Sequence, residues 1–366
     1  MSLKILVSGG GTGGSVSPIL AVVEELYRLK PKAEILFVGT SRGPERQMVE
    51  QLSLPFIGIP PAKLRRYFSL RNFLDIFVFV YSLVRAWFVV RSFRPDVIFS
   101  VGSFVSVPVC WAGKLLGVRI VIHQQDVRIG LANKLIAPFA DKITTAFAFT
   151  AKSFYSGSGL FTRKWRSPAE WVGNPVRSEI FEKNIPVPDY IKLTKDLPIL
   201  LILGGATGSD QINRVIIEAA SKLVRSFQII HQTGKLKKAA KFSDPNYHVF
   251  ELLPFDAYAY LLQKAHLVVA RAGLSTITEL SALGKAAVIV PMPESHQEDN
   301  AVILNFTSSA VVLNKQQFTP DNLVKTLTDL NFDPEKQKIM AQNISRLIPT
   351  LQVAEKLAKI VIKTGE

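Results

Sequence analysis

The sequence predicts an α/β chain built as two tandem Rossmann-like domains with parallel sheets. Three observations carry this. Short β-rich runs alternate with segments whose apolar residues recur at helical spacing, as strands joined through crossover helices require. The pattern restarts midway along the chain. A glycine turn follows the first strand of each half, SGGGTGGS at 8–15 and LGGATGSD at 203–210. A chain of 366 residues has room for two domains of ordinary size.

In order, LKILVS (3–8) reads as a buried strand, and PILAVVEELYRLK (18–30) as a helix with Pro18 in its first turn. AEILFVGT (33–40), RPDVIFSVGSF (94–104), VRIVIHQQD (118–126) and DKITTAF (141–147) supply further strands of the first half. The stretch 155–198, with Gly157, Gly159 and five prolines, suits a linker. Strand, glycine turn and helix then recur over 197–223. SFQIIHQTG (226–234), YHVFELLPF (247–255), HLVVARAG (266–273) and AAVIVPMP (286–293) complete the second set. The tail 334–364 is helical in pattern and is expected to pack back on the first domain.

Composition removes several classes of function. A single cysteine, Cys110, excludes a disulfide framework or a cysteine zinc site within one chain. The five histidines form no metal-ligand spacing, and no D-x-D occurs, so no metal is expected. The net charge of +15 is uneven: residues 1–176 carry +12 and 177–366 carry +3. A basic first half points to an anionic membrane surface, phosphorylated ligands or nucleic acid. No nucleic-acid motif or interleaved aromatic platform supports the last. MSLKILVSGG runs straight into a strand and a glycine turn, without the order of a secretory signal.

Gly9, Gly11 and Gly14 match G-x-G-x-x-G, but the next strand ends Val38-Gly39-Thr40-Ser41 without the acid that holds a dinucleotide ribose. A nicotinamide enzyme is therefore disfavoured, and the turn suits a phosphate or a sugar hydroxyl. In R271-A-G-L-S-T-I-T-E279, Ser275 and Thr276 begin a helix and Glu279 falls on its first turns. The cluster reads as a diphosphate and ribose site, as a capping box, or as both. H296-Q-E-D-N300 places side-chain amides after a strand, where α/β ligands bind. Arg177, in GNPVR, reads as a phosphate ligand or as one half of a surface ion pair.

Together GGGTGGSVSPILAV, HQQD with GLAN, VGNPVR, LGGATGSDQIN, RAGLSTITEL and HQEDNA, in this order and spacing, resemble the MurG family. These are the peripheral-membrane N-acetylglucosaminyltransferases that make lipid II in peptidoglycan synthesis. The likeness runs from Lys4 to about Lys359. It implies the GT-B fold, with an acceptor and membrane-facing domain at 1–176, joined by a C-terminal helix at 346–366, and a UDP-sugar domain at 177–345. It implies inverting transfer of GlcNAc from UDP-GlcNAc to the muramyl C4 hydroxyl of undecaprenyl-pyrophosphoryl-MurNAc-pentapeptide, on the cytoplasmic side of the bacterial membrane and without a cofactor.

By the same resemblance Glu279 takes the ribose, and Arg177 with Leu274, Ser275 and Thr276 takes the diphosphate. Gln297 and Asn300 take the sugar, and Phe255 faces uracil. Thr12, Gly13 and Gly14 face the sugar and the lipid diphosphate. Three motifs depart from the family. Ser15 stands where His is common, Gln124 and Asp126 replace Glu and Asn, and Ala206 replaces a serine of the second glycine turn. The general base is therefore sought among Asp126, His123 and Ser15: Ser15 is no base near neutral pH, His123 reads equally as a buried histidine at a strand end, and Asp126 stands ahead because it replaces a contact position near the sugar.

The apolar run 73–90 is flanked by basic residues and contains Asp75 and Arg85. Arg65, Arg66, Arg71, Phe73, Phe77, Val80 and Trp87 are expected to meet an anionic membrane interface. A core helix explains part of the run, and a true span is disfavoured. The rival functions are a related transferase with another lipid or polysaccharide acceptor, a nucleotide-sugar-binding scaffold, and a UDP-sugar 2-epimerase.

Overall fold

The computed structural model describes residues 2–11, 13–41, 43, 45–50, 52–60, 71–155, 168–182, 185, 191, 193–194, 196–205, 207–234 and 242–366. They form two compact units, residues 1–177 with 349–366, and residues 178–348.

The first unit runs β1 (Lys4–Ser8), α1 (Gly13–Leu29), β2 (Glu34–Thr40), α2 (Glu45–Glu50), β3 (Phe56–Ile59), α3 (Arg71–Phe93), β4 (Val97–Ser100), α4 (Ser106–Leu115), β5 (Arg119–Gln124), α5 (Leu131–Ile136), β6 (Lys142–Thr145), α6 (Ala148–Tyr155) and β7 (Ala169–Trp171). Its sheet is wholly parallel, in the order β3-β2-β1-β4-β5-β6-β7. Side chains alternate between two cores, as the period of a strand dictates. Ile5, Val7, Ile35, Phe37, Val97 and Phe99 face α1. Leu6, Leu36, Val38, Ile98, Ile120 and Ile122 face α3, α4 and α5.

The second unit runs β8 (Ile199–Leu203), α7 (Asp210–Leu223), β9 (Gln228–Gln232), β10 (Tyr247–Phe250), α8 (Phe255–Lys264), β11 (Leu267–Ala270), α9 (Leu274–Leu283), β12 (Ala287–Ile289), α10 (Gln297–Phe306), β13 (Val311–Val312), α11 (Pro320–Asn331) and α12 (Pro334–Leu347). Its sheet is also parallel, in the order β10-β9-β8-β11-β12-β13. Side-chain caps start three of these helices: Ser209 for α7, Thr319 for α11 and Asp333 for α12.

The strands read from the sequence are present, and three more join them. β3 carries Gly58, β7 has three residues at a sheet edge, and β13 has two, so none shows a usable alternation. The tail is two helices rather than one. α12 packs on α9 within the second unit, whereas α13 (Val353–Gly365) packs on α1 within the first. Val353, Leu357, Ala358 and Val361 of α13 lie in the core that α1 closes. Ion pairs Arg28–Glu355 (3.2 Å) and Lys356–Glu170 (2.8 Å) and a bond from Arg119 Nη1 to the Thr364 carbonyl (2.8 Å) edge this contact. The two ion pairs are largely exposed and contribute little beside the apolar burial. Leu357→Ala is expected to destabilise the protein by about 2–5 kcal/mol, read as a lower urea midpoint. Lys359→Ala, on the exposed face of α13, is expected to change stability by about 0.5 kcal/mol or less.

Candidate active site

Each sheet order contains one switch point, where connections leave in opposite directions. In the first unit it lies between β1 and β4, and in the second between β8 and β11. Ligands of open α/β sheets bind at the carboxyl ends of strands beside such points. Both glycine turns stand there, after β1 and after β8.

In the second unit the sheet edge gathers several of the predicted residues. α9 begins at Leu274, and its N-cap is Gly273 with no side-chain cap. The capping-box reading of Ser275, Thr276 and Glu279 is thereby corrected. Glu279 instead accepts a hydrogen bond from the Tyr258 hydroxyl, donated from α8. Burial and then the Glu279 charge push the Tyr258 hydroxyl well above its usual value, so it stays protonated and donates. Arg271 crosses from the end of β11 to the second glycine turn. Its Nη2 donates to Ser209 Oγ at 2.6 Å, and its Nη1 to the carbonyls of Val290 (3.3 Å) and Pro291 (3.0 Å). Asn300 is buried and donates from Nδ2 to the Ala272 carbonyl at 3.1 Å, which ties α10 to the turn between β11 and α9. Gln297 Oε1 accepts from the Met292 amide at 3.1 Å. Leu274, Ser275, Thr276, Glu279, Gln297 and Asn300 thus share one edge of one sheet. Tyr258 and the linking role of Arg271 were not legible in the sequence. An α8 tyrosine looks like any amphipathic helix residue until its partner is known.

The first-unit candidates separate. His123 is fully buried, with Nδ1 3.0 Å from Thr144 Oγ1 and Nε2 2.9 Å from Asn174 Oδ1. Burial depresses its pKa to about 4, only partly offset by Asn174. With both nitrogens engaged inside the protein it does not fit the role of base, which is a correction to its candidacy. Asp126 is partly exposed on the loop after β5. Gln124 organises that loop: its Nε2 donates to the carbonyls of Asp126 (2.8 Å) and Arg128 (3.1 Å), and its Oε1 accepts from Asn133 Nδ2 (2.7 Å). Arg177 lies 3.6 Å from Glu24 Oε1, so its ion-pair reading has a geometry. Gly13 and Gly14 form the start of α1. Thr12, Ala206, Arg65 and Arg66 lie outside the described residues, as do the side chains of Ser15, Arg71, Phe73 and Phe255. Among the described residues no three His, Cys, Asp or Glu side chains gather as a metal site.

α3 carries a one-sided apolar surface. Ile76, Phe77, Val80, Tyr81, Val84 and Phe88 are exposed, while Ser82, Ala86 and Val90 are buried beneath them. A contiguous patch of this kind marks an interaction surface. Ile76–Phe93 is long and apolar enough to cross a membrane by length and composition, and most of it lies outside the core. Trp87 differs from its expected place: it is half-buried against the α4 side of the core, with the Arg91 guanidinium 5.5 Å from its ring.

Two parallel α/β units with glycine turns at both switch points are the architecture expected of a two-domain glycosyltransferase. Family models agree: residues 5–145 match the glycosyltransferase family 28 N-terminal domain and residues 199–359 the family 28 C-terminal domain. Within that class the chain belongs to the MurG family. It is 32% identical, over 99% of both chains, to the UDP-N-acetylglucosamine–N-acetylmuramyl-(pentapeptide) pyrophosphoryl-undecaprenol N-acetylglucosamine transferase of Treponema denticola. It is 33% identical to the Clostridium kluyveri protein of the same name, over 90% of this chain and 91% of that one. A crystal structure of Acinetobacter baumannii MurG superposes with a TM-score of 0.72 at 22% identity, over 99% of this chain and 100% of that one, which supports the GT-B fold. The same fold appears in a Neisseria meningitidis UDP-GlcNAc 2-epimerase, at TM-score 0.68 and 14% identity, over 99% of this chain and 100% of that one.

The buried histidines set an acid limit on stability. His231, buried between Tyr247 and Asn213, is also depressed to about 4 by burial. Both are neutral when folded and take up a proton near pH 6.5 when unfolded. Their contribution is present above pH 6.5 and is lost as pH falls towards 4. Each is expected to remove about 2 kcal/mol between pH 7 and pH 5. The check is urea unfolding at the two pH values, with His123→Gln showing a smaller loss than wild type.

Proposed function

We propose that the protein transfers GlcNAc from UDP-GlcNAc, with inversion, to the C4 hydroxyl of a lipid-linked MurNAc-pentapeptide diphosphate, converting lipid I to lipid II. The observation that carries the donor half is the second-unit edge: an uncapped α9 start beside a buried Glu279 held by Tyr258. A helix start with open N–H groups binds a diphosphate, and a carboxylate fixed by one hydroxyl accepts from ribose hydroxyls. Arg271 keeps the second glycine turn against that helix start. By the family resemblance Gln297 and Asn300 are assigned to the sugar, Phe255 to the uracil, and Arg177 and Ala206 to further donor contacts, while Thr12, Gly13 and Gly14 are assigned to the lipid diphosphate beside the sugar. The names of the relatives support the acceptor half.

In the displacement the acceptor oxygen bonds to C1 of GlcNAc as the bond from C1 to the UDP phosphate breaks. UDP leaves with the charge, which the α9 start stabilises. The hydroxyl proton passes to a base. We assign the base to Asp126, because His123 is enclosed and Asp126 is carried on a loop that Gln124 holds. The apolar face of α3, with the basic residues that precede and follow it, lays the first unit on the anionic cytoplasmic surface where the acceptor headgroup stands.

Acceptor-dependent UDP release from UDP-GlcNAc with a soluble lipid I analogue tests the reaction. Glu279→Ala is expected to lower kcat/KM about 10–100-fold. Asp126→Asn is expected to lower kcat about 10²–10⁴-fold with donor affinity kept. Donor binding without release under any acceptor would leave a nucleotide-sugar-binding scaffold instead. For the surface, Phe77→Asp combined with Val80→Asp is expected to abolish co-sedimentation with anionic vesicles while leaving turnover of the soluble analogue intact. Unchanged co-sedimentation would remove α3 from membrane contact.

A further inference from the structure

Among the described residues the only Asp, Glu, Lys or Arg that are buried are Glu279, with 8% exposure, and Glu45, with none. Glu279 belongs to the donor reading above. Glu45, the first residue of α2, has no solvent exposure and no counter-ion within ion-pair distance among the described residues. Its carboxylate is occupied by the backbone instead. Oε1 accepts from the Thr40 amide at 2.6 Å and from Thr40 Oγ1 at 2.5 Å, and Oε2 accepts from the Gly11 amide at 3.3 Å. All three partners are donors, as an ionised carboxylate requires. One side chain therefore joins the end of β2 to the middle of the first glycine turn.

Two glycines make room for it. A side chain at Gly10 would put Cβ 2.2 Å from Glu45 Oε1, and one at Gly43 would put Cβ 1.9 Å from Oε2. Gly11 itself has φ +89°, a conformation that glycine adopts without strain. Part of the glycine pattern that reads as a ligand cradle thus serves a resident carboxylate. Enclosing a charge is costly unless it is fully hydrogen-bonded, so this arrangement is stable only with the turn in this one shape.

We infer that Glu45 is a positioning residue for transfer: it latches the first glycine turn through the Gly11 amide and so fixes where Gly13, Gly14 and the start of α1 meet the acceptor. The inference rests on the acceptor reading above. Its hydrogen-bond partners, Gly11 and Thr40, both lie in the first unit.

Glu45→Gln separates the latch from the fold. The amide keeps the side-chain volume and an oxygen for Thr40, but it turns an N–H donor towards the Gly11 N–H. Two readouts are taken on the full-length protein. Hydrogen exchange of the 9–15 backbone needs no substrate and is expected to speed up about tenfold or more, with the second unit unchanged. In the UDP-release assay, kcat/KM for the acceptor analogue is expected to fall about tenfold or more, with donor affinity within about twofold of wild type. Glu50→Gln, on the exposed end of the same helix, is the control and changes neither.

Faster exchange together with an acceptor-side loss supports the latch. Unchanged exchange and unchanged kinetics, with an active wild type, would overturn it and leave the transferase reading standing. An equal loss of donor and acceptor binding, with faster exchange throughout the first unit, would reduce Glu45 to a folding residue and also overturn it. A wild type without transfer, but with faster exchange confined to 9–15 in the variant, would keep the latch as a structural fact and overturn its role in acceptor transfer.

Discussion

A parallel sheet covered on both faces has no polar side to offer a ligand. That constraint organises this molecule. Strands β1 to β5 of the first unit send alternate residues into two apolar cores, and chemistry is confined to the carboxyl edge of the sheet. At that edge the chain must turn sharply at each switch point, and the turns leave backbone N–H groups exposed. Glycine turns, helix starts and short loops concentrate there for one reason: backbone donors that no ladder satisfies stay available to anions.

The same reason explains the placement of the two enclosed carboxylates. Each stands beside a switch-point turn, and each accepts hydrogen bonds from groups of that turn or of a neighbouring helix. In the first unit the donors are the Gly11 and Thr40 amides and the Thr40 hydroxyl. In the second the donor is a tyrosine kept protonated by its surroundings. The consequences differ. Glu45 uses up a backbone donor and stiffens its turn. Glu279 leaves the start of α9 uncapped, so the second-unit turn keeps its capacity for a diphosphate.

How much of this was legible follows from the range of each signal. Periodicity and turn residues are local, so the long strands, the tandem organisation and the two glycine turns could be read directly. Strands of two to four residues at a sheet edge carry no period, and β7 and β13 were missed accordingly. Motif residues such as Glu279 and Asn300 could be named, but their partners could not. Tyr258 lies 21 positions from Glu279, and Glu45 lies 34 from Gly11, distances over which sequence alone has no pairing rule. The absence of an acid at the end of β2 was a correct reading of the strand. The acid arrives five residues later and points back into the turn.

The loop after β5 shows how a polar contact can select between identities at one position. Gln124 donates to two main-chain carbonyls, of Asp126 and Arg128, and accepts from Asn133 with its other atom. A glutamate there would set an anion against both carbonyls and lose two hydrogen bonds, while a glutamine closes the loop without charge. The closed loop carries the Asp126 carboxylate two residues further on, in a partly exposed position. On the proposal that Asp126 is the base, the replacement of the family's Glu by Gln and of its Asn by Asp is one compensated change rather than two losses. The acid moves along the strand end while the loop keeps its internal support. The enclosed His123, with both nitrogens bound to Thr144 and Asn174, anchors the end of β5 within the core.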